Sequence, residues 1–264
     1  KGVKGLYVGG SSGECIYLSK EERKITLENV MAEAKGKLTV IAHVACNNTA
    51  DSQELAAHAQ EQGVDAIAAI PPIYFHLPDH AIAKYWNDIS EGAPDTDFII
   101  YNIPQLAGVA LTIPLLREMK KNPRVIGVKN SSMPVQDIQM FADEGVLVFN
   151  GPDEQFVSGL AAGAVGGIGG TYAAMPELFL QARELFLQGK WEEAREIQNE
   201  ICRIIYHLCS AKGNMYAVIK EVLRIQGGPD IGGVRAPLAN LTEADKEIAK
   251  DCAGQIDSAI KKYC

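Results

Sequence analysis

Short apolar runs alternate with longer amphipathic stretches along the whole chain. Seven runs read as strands: Gly5–Gly9, Leu38–Val44, Ala66–Ile70, Phe98–Tyr101, Val125–Lys129, Val146–Phe149 and Val165–Ile168. Most are continuously apolar, the pattern of parallel strands buried on both faces. Helical patterns lie between them, over Lys20–Ala34, Ala50–Glu61, Ile82–Ile89, Pro114–Lys120, Val135–Glu144 and Gln155–Ala162. Ser19 stands as the N-cap of the first, with Glu22 three residues later to complete a capping box. Strands that alternate with helices, without hairpin turns, are βαβ units and build a parallel sheet.

Four further helical patterns follow, over Leu178–Leu187, Trp191–Leu208, Tyr216–Ile225 and Glu243–Lys262, broken by Gly189, Gly213 and Gly227–Pro229. Seven units are one short of a closed barrel. The expectation is an α/β fold, a TIM (β/α)8 barrel with a C-terminal helical extension, lacking the first β/α unit, roughly 30 residues. The chain begins without Met and enters a core-strand pattern at once, which also suggests a missing upstream segment. The barrel is expected over residues 1–170, with the last barrel helix and the helical extension over residues 171–264. A doubly wound open sheet is the alternative. It needs a glycine fingerprint after its first strand, and none fits.

The length of 264 residues suits a single barrel, and 47% hydrophobic residues suffice for a sizeable core. The net charge of −8 opposes phosphate backbones and anionic lipid, so neither nucleic acid nor membrane is an expected partner. A local basic site for a small anion is compatible with it. No apolar run approaches the ~20 residues of a membrane helix. The six cysteines (Cys15, Cys46, Cys202, Cys209, Cys252 and Cys264) show no paired spacing, which suits reduced thiols in the cytoplasm.

Barrel chemistry sits at the C-terminal strand ends. Lys129 closes the run Val125-Ile126-Gly127-Val128-Lys129. An ammonium there is costly to bury, and an unprotonated amine is a nucleophile. A lysine that snorkels to the rim is the plainer reading. Tyr101 ends the fourth run; it is a candidate proton relay or an edge-packing ring. Gly9-Gly10-Ser11-Ser12-Gly13-Glu14 follows the first run, with hydroxyls and N–H groups that suit a carboxylate, or form an ordinary turn. Asp153 and Glu154, in Gly151-Pro152-Asp153-Glu154, suit sugar hydroxyls or a helix N-terminus. The glycine-rich segment from Gly166 to Gly170 lacks nucleotide-loop spacing and reads as a close-approach turn. His43 lies in a strand pattern and reads as a core residue. None of the five histidines has ligand spacing, so no metal is expected.

GGSSGE, then YNIP, then a strand-final GVKNSS, in this order, resemble the N-acetylneuraminate lyase and dihydrodipicolinate synthase superfamily. The resemblance runs from Gly5 to the helical tail. It implies a class I, pyruvate-dependent aldolase without cofactor. Lys129 would form the Schiff base and Tyr101 would relay protons. Ser11 and Ser12 would hold the pyruvate carboxylate. Tyr74 matches a tyrosine near the active-site and subunit contact, and a homotetramer is implied. The segment after YNIP is Gln105-Leu106-Ala107-Gly108, without the arginine usual in the synthase branch. GPDE is similar to the lyase motif whose Asp and Glu bind the sugar polyol, which turns Gly151, Asp153 and Glu154 toward substrate binding. The implied reaction is reversible cleavage of N-acetylneuraminate, a sialic acid, to pyruvate and N-acetylmannosamine. Gly170 stands where lyases commonly carry serine, so one substrate contact of ~1 kcal/mol is lost or replaced. Another pyruvate-dependent aldolase, acting on a different 2-keto-3-deoxy sugar acid, is the first alternative. A non-catalytic sugar-acid-binding barrel is the second.

Overall fold

The computed structural model describes all 264 residues. Internal packing divides them into two compact units. One comprises Lys4–Pro152 with Ala161–Gly167. The other comprises Lys1–Val3, Asp153–Leu160 and Ile168–Cys264.

The first unit is built on seven strands: β1 (Gly5–Val8), β2 (Thr39–His43), β3 (Ala66–Ala69), β4 (Asp97–Asn102), β5 (Val125–Asn130), β6 (Leu147–Asn150) and β7 (Gly166–Gly167). All are parallel and lie side by side in sequence order. This is the sequential parallel arrangement of a TIM (β/α)8 barrel. The helices here are α1 (Lys20–Ala34), α2 (Thr49–Gln62), α3 (Asp79–Glu91), α4 (Pro104–Ala107), α5 (Ile113–Met119) and α6 (Gln136–Asp143). Ser19 and Glu22 form the expected reciprocal capping box at the start of α1.

Register divides each strand into two faces. Val8, Val40, Ala42, Ile67, Ala69, Phe98, Ile100, Val128 and Val148 share one face and enter one hydrophobic cluster with residues of the helices, such as Leu27, Leu55, Trp86, Leu115 and Ile138. The alternate positions are paired in the same way: Tyr7 opposite Ile41, His43 opposite Ala68, Ile99 opposite Gly127, Tyr101 opposite Lys129, and Lys129 opposite Phe149. One face of the sheet is thus apolar up to Asn102, Asn130 and Asn150 at the ends of β4, β5 and β6, and the other carries Tyr7, His43, Tyr101 and Lys129.

Two local features depart from the sequence pattern. The run Val165–Ile168 contracts to a two-residue strand, because Gly166 and Gly167 supply no side chain to pack and lose much backbone entropy. The YNIP segment continues into α4, with Pro104 in its first turn and Gly108 closing it in the left-handed region.

The second unit is helical, with most of α7 (Phe156–Ala161), then α8 (Pro176–Leu187), α9 (Trp191–Leu208), α10 (Met215–Ile225) and α11 (Glu243–Tyr263). On α9, Ile197, Ile201, Ile204, Ile205 and Leu208 recur at helical spacing and are buried against α8 and α11. Asp245 caps α11 and also accepts the Lys212 and Gly213 N–H groups. These bonds, the one from Thr242 first, bring its carboxyl down to about 2.

Candidate active site

Lys129 sits near the end of β5 with only 6% of its surface exposed. Its Nζ lies 3.8 Å from the centre of the Tyr101 ring and 4.6 Å from that of Tyr7. The two tyrosines meet edge to face, with ring centres 5.7 Å apart. No carboxylate lies within ion-pair distance of Lys129. Magnitudes decide what this means. A desolvated cation–π contact contributes about 2 kcal/mol, whereas taking an ammonium out of water costs several. The aromatic faces do not replace the hydration an ammonium would lose here, so the site favours an anionic ligand beside Nζ.

The Tyr101 hydroxyl lies 3.4 Å from Ser11 Oγ, which links β4 to the turn after β1. That turn is a short 3₁₀ segment, Ser11–Gly13. Ser12 is exposed within it. Glu14 follows with φ of 58°, a left-handed conformation that a non-glycine residue adopts at a cost. Tyr74 is the other such residue, with φ of 83°, and it follows β3. Both strained positions are thus in loops at the C-terminal ends of strands. Tyr74 is 86% exposed and packs edge-on against Phe75.

His43 holds the strand ends together. Its Nδ1 lies 2.9 Å from the Gly9 carbonyl, and its Nε2 accepts the Ile70 N–H at 3.4 Å. This pattern requires a neutral ring with the proton on Nδ1. The ring also meets Tyr101 edge-on at 5.9 Å. Burial first, then the positive charges of Arg23 and Lys129, holds His43 well below its ordinary value. Tyr7 has a buried hydroxyl with no hydrogen-bond partner, and burial raises it well above the usual phenol range. Neither His43 nor Tyr7 was singled out for this cluster from sequence. The available signal was their period-two position on β1 and β2, but it becomes informative only once the register is known.

Next to Lys129 and Tyr101 is a buried amide pair. Asn102 Nδ2 donates to Asn130 Oδ1 at 2.7 Å, and Asn130 donates on to Ser132 Oγ. Gly151 sits against this pair, its N–H donating to the Asn130 carbonyl at 2.7 Å. A Cβ there would strike Ser131 Oγ and lie 2.7 Å from the Asn130 carbonyl. Only glycine fits.

In the helical unit, Asp153 is buried and opens a 3₁₀ turn with Glu154 and Gln155. Its Oδ2 accepts from Thr171 N at 2.8 Å and from Thr171 Oγ1 at 2.6 Å. A Cβ at Gly169 would collide with its Oδ1. Gly170 precedes the 3₁₀ turn Thr171–Ala173. Glu154 is exposed. The geometry therefore gathers Lys129, Tyr101 and Ser11 in one unit, with Ser12 and Gly151 on adjacent loops there. Asp153, Glu154 and Gly170 lie in the other unit.

A parallel α/β barrel whose polar strand face centres on a buried lysine is the framework of the lysine-dependent barrel enzymes. The chain belongs to the Dihydrodipicolinate synthetase family, whose model matches residues 1–256. A relative from Mediterraneibacter gnavus, named N-acetylneuraminate lyase, is 67% identical over 266 residues, covering 100% of this chain and 84% of its own. The solved structure of wild-type Ruminococcus gnavus sialic acid aldolase has a TM-score of 0.98 at 66% identity, covering 100% of this chain and 88% of that one. A catalytic lysine mutant of the Ruminococcus gnavus aldolase matches at a TM-score of 0.97 and 65% identity, over 98% of this chain and 86% of that one.

The neutrality of His43 has a measurable consequence. An unfolded histidine titrates near 6.5. As pH falls below that value the unfolded chain gains a proton that folded His43 resists, so stability falls with a slope of up to about 1.4 kcal/mol per pH unit. His43→Gln removes this contribution. Its melting temperature is expected to be lower at pH 7.5 but to decline less between pH 6.5 and 5 than that of the unsubstituted chain. Scanning calorimetry across this range tests it; parallel pH profiles would contradict the assignment.

Proposed function

We propose that this chain is a class I aldolase that reversibly cleaves N-acetylneuraminate to pyruvate and N-acetylmannosamine. The observation that carries the reading is Lys129, buried beneath two tyrosine rings without a carboxylate partner and beside the hydroxyl pair of Tyr101 and Ser11. The relatives named as lyases and sialic acid aldolases support the substrate.

In this mechanism the unprotonated Lys129 Nζ adds to the C2 ketone of the open-chain sugar acid. The carbinolamine loses water and becomes an iminium. Tyr101 gives its proton to the hydroxyl that leaves as this water, and the resulting phenolate accepts the proton of the C4 hydroxyl as the C3–C4 bond breaks. The C4 carbon leaves as the aldehyde of N-acetylmannosamine, and the bonding electrons move into the iminium to give an enamine. Protonation at C3 and hydrolysis then return Lys129 and release pyruvate. The lysine is itself the electron sink, so the steps need no organic cofactor. Ser11 and Ser12 hold the substrate carboxylate, beside the iminium that Lys129 forms. Gly151 leaves room at the strand ends, and Asp153 and Glu154 bind hydroxyls of the sugar tail, near Gly170.

The proposal extends to a cytoplasmic homotetramer. Six unpaired cysteines suit a reducing compartment. Tyr74 and Phe75, 86% and 69% exposed and in mutual contact, suit cover by a second copy. Light scattering is expected to report four chains, and Tyr74→Asp with Phe75→Asp to shift the mass downward. A monomeric mass for the starting chain would overturn the assembly.

Turnover tests the reaction itself. N-acetylneuraminate is expected to yield pyruvate in a coupled dehydrogenase assay, and Lys129→Ala to reduce the rate by at least about 10³-fold. Unacetylated 2-keto-3-deoxy sugar acids should turn over more slowly. The reverse preference would favour the other sugar-acid aldolases. Tight binding of N-acetylneuraminate with no pyruvate release would make the protein a binding barrel.

A further inference from the structure

Gln198 is a buried amide in the middle of α9, on a face that is otherwise alanine, isoleucine and leucine. A buried amide in such a face is costly unless its donors and acceptors are used. Here Nε2 makes one bond within α9, to Cys202 Sγ at 3.6 Å, and the amide's other bonds go to one distant turn. Nε2 donates to the Asp153 carbonyl at 3.1 Å, and Oε1 accepts the Val157 N–H at 2.9 Å. One side chain therefore holds both ends of the segment that carries Asp153 and Glu154. Four residues further along α9, Cys202 Sγ reaches the Glu154 carbonyl at 3.5 Å. The Asp153 carboxylate is oriented separately, by Thr171. Backbone and carboxylate thus have independent supports, and α9 provides the one for the backbone.

We propose that Gln198 is a positioning residue for sugar selectivity. It sets the backbone of the Asp153–Glu154 turn, and thereby the place from which these residues meet the hydroxyls of the sugar aldehyde. This rests on the reading of Asp153 and Glu154 as sugar contacts. Gln198 itself touches no substrate. Its effect belongs to the affinity for the sugar and not to imine formation with pyruvate.

The test uses the full chain in the direction of synthesis, with saturating pyruvate and varied N-acetylmannosamine. Gln198→Leu fills a similar volume and removes the bonds to Asp153 and Val157, together with the one to Cys202. It is expected to raise the KM for N-acetylmannosamine by about tenfold or more, the effect of one to two lost hydrogen bonds. The KM for pyruvate and the yield of the borohydride-trapped pyruvate adduct should stay within about twofold. Gln198→Glu keeps the acceptor for Val157 and loses the donor for Asp153. Its sugar KM should fall between those of the starting chain and the leucine variant, and it serves if the leucine variant does not fold. Asp153→Asn and Glu154→Gln are measured alongside. An unchanged sugar KM in the Gln198 variants, with a raised one in the carboxylate variants, would overturn the positioning role alone. An unchanged sugar KM in all of them would overturn the carboxylate reading and the inference with it. Parallel losses of trapping, pyruvate affinity and sugar affinity would reduce Gln198 to a general structural residue, which also overturns it.

Discussion

A lysine side chain held in a nearly dry site beneath two tyrosine rings, with no carboxylate partner, is the constraint around which the rest of the structure is arranged. Such a group is expensive to keep in a folded protein. It is tolerated because the sheet around it is over-determined. Parallel register sets Lys129 beside Tyr101, and β1 supplies the second ring. His43 ties the ends of β1 and β3 to β2 with both of its ring nitrogens. The amides of Asn102 and Asn130 bond across the next strand boundary. His43, Asn102 and Asn130 are buried polar groups with their hydrogen bonds made, which gives rigidity at this end of the sheet.

Division of labour between the faces of the strands makes this arrangement affordable. One face is hydrophobic packing against helices up to the asparagines that end β4, β5 and β6. The other carries small residues, such as Ala66, Ala68 and Gly127, below the polar layer of Tyr7, His43, Tyr101 and Lys129. Gly127 is required here, since a Cβ would approach the Leu147 carbonyl to 2.7 Å. Backbone strain at Glu14 and Tyr74 is confined to loops beyond the strand ends, where function can use it.

Much of this was legible in the chain itself, because continuous apolar runs report buried parallel strands and a strand-final Lys or Tyr stands out against them. The positions of Lys129 and Tyr101 follow from that contrast alone. What could not be read were lateral relations. Tyr7 is 94 positions before Tyr101, and only register brings their rings together. Gln198 looks like an ordinary polar residue of an amphipathic helix until its two bonds to the Asp153 turn are seen. Asp153 reads from sequence as a cap or a sugar contact. The structure adds its bonds to Thr171, a loop 18 residues away. The glycines of β7 contain no periodic signal, so the length of that strand was the least readable feature of the sheet.

The central claim is that Lys129 Nζ is the atom that joins pyruvate. Incubation of the full chain with pyruvate, reduction with borohydride and peptide mapping by mass spectrometry tests it directly. A single stable adduct is expected on the peptide that contains Lys129, and none in Lys129→Ala. An adduct that maps to another lysine, that persists in the alanine variant, or that fails to form at saturating pyruvate would contradict it.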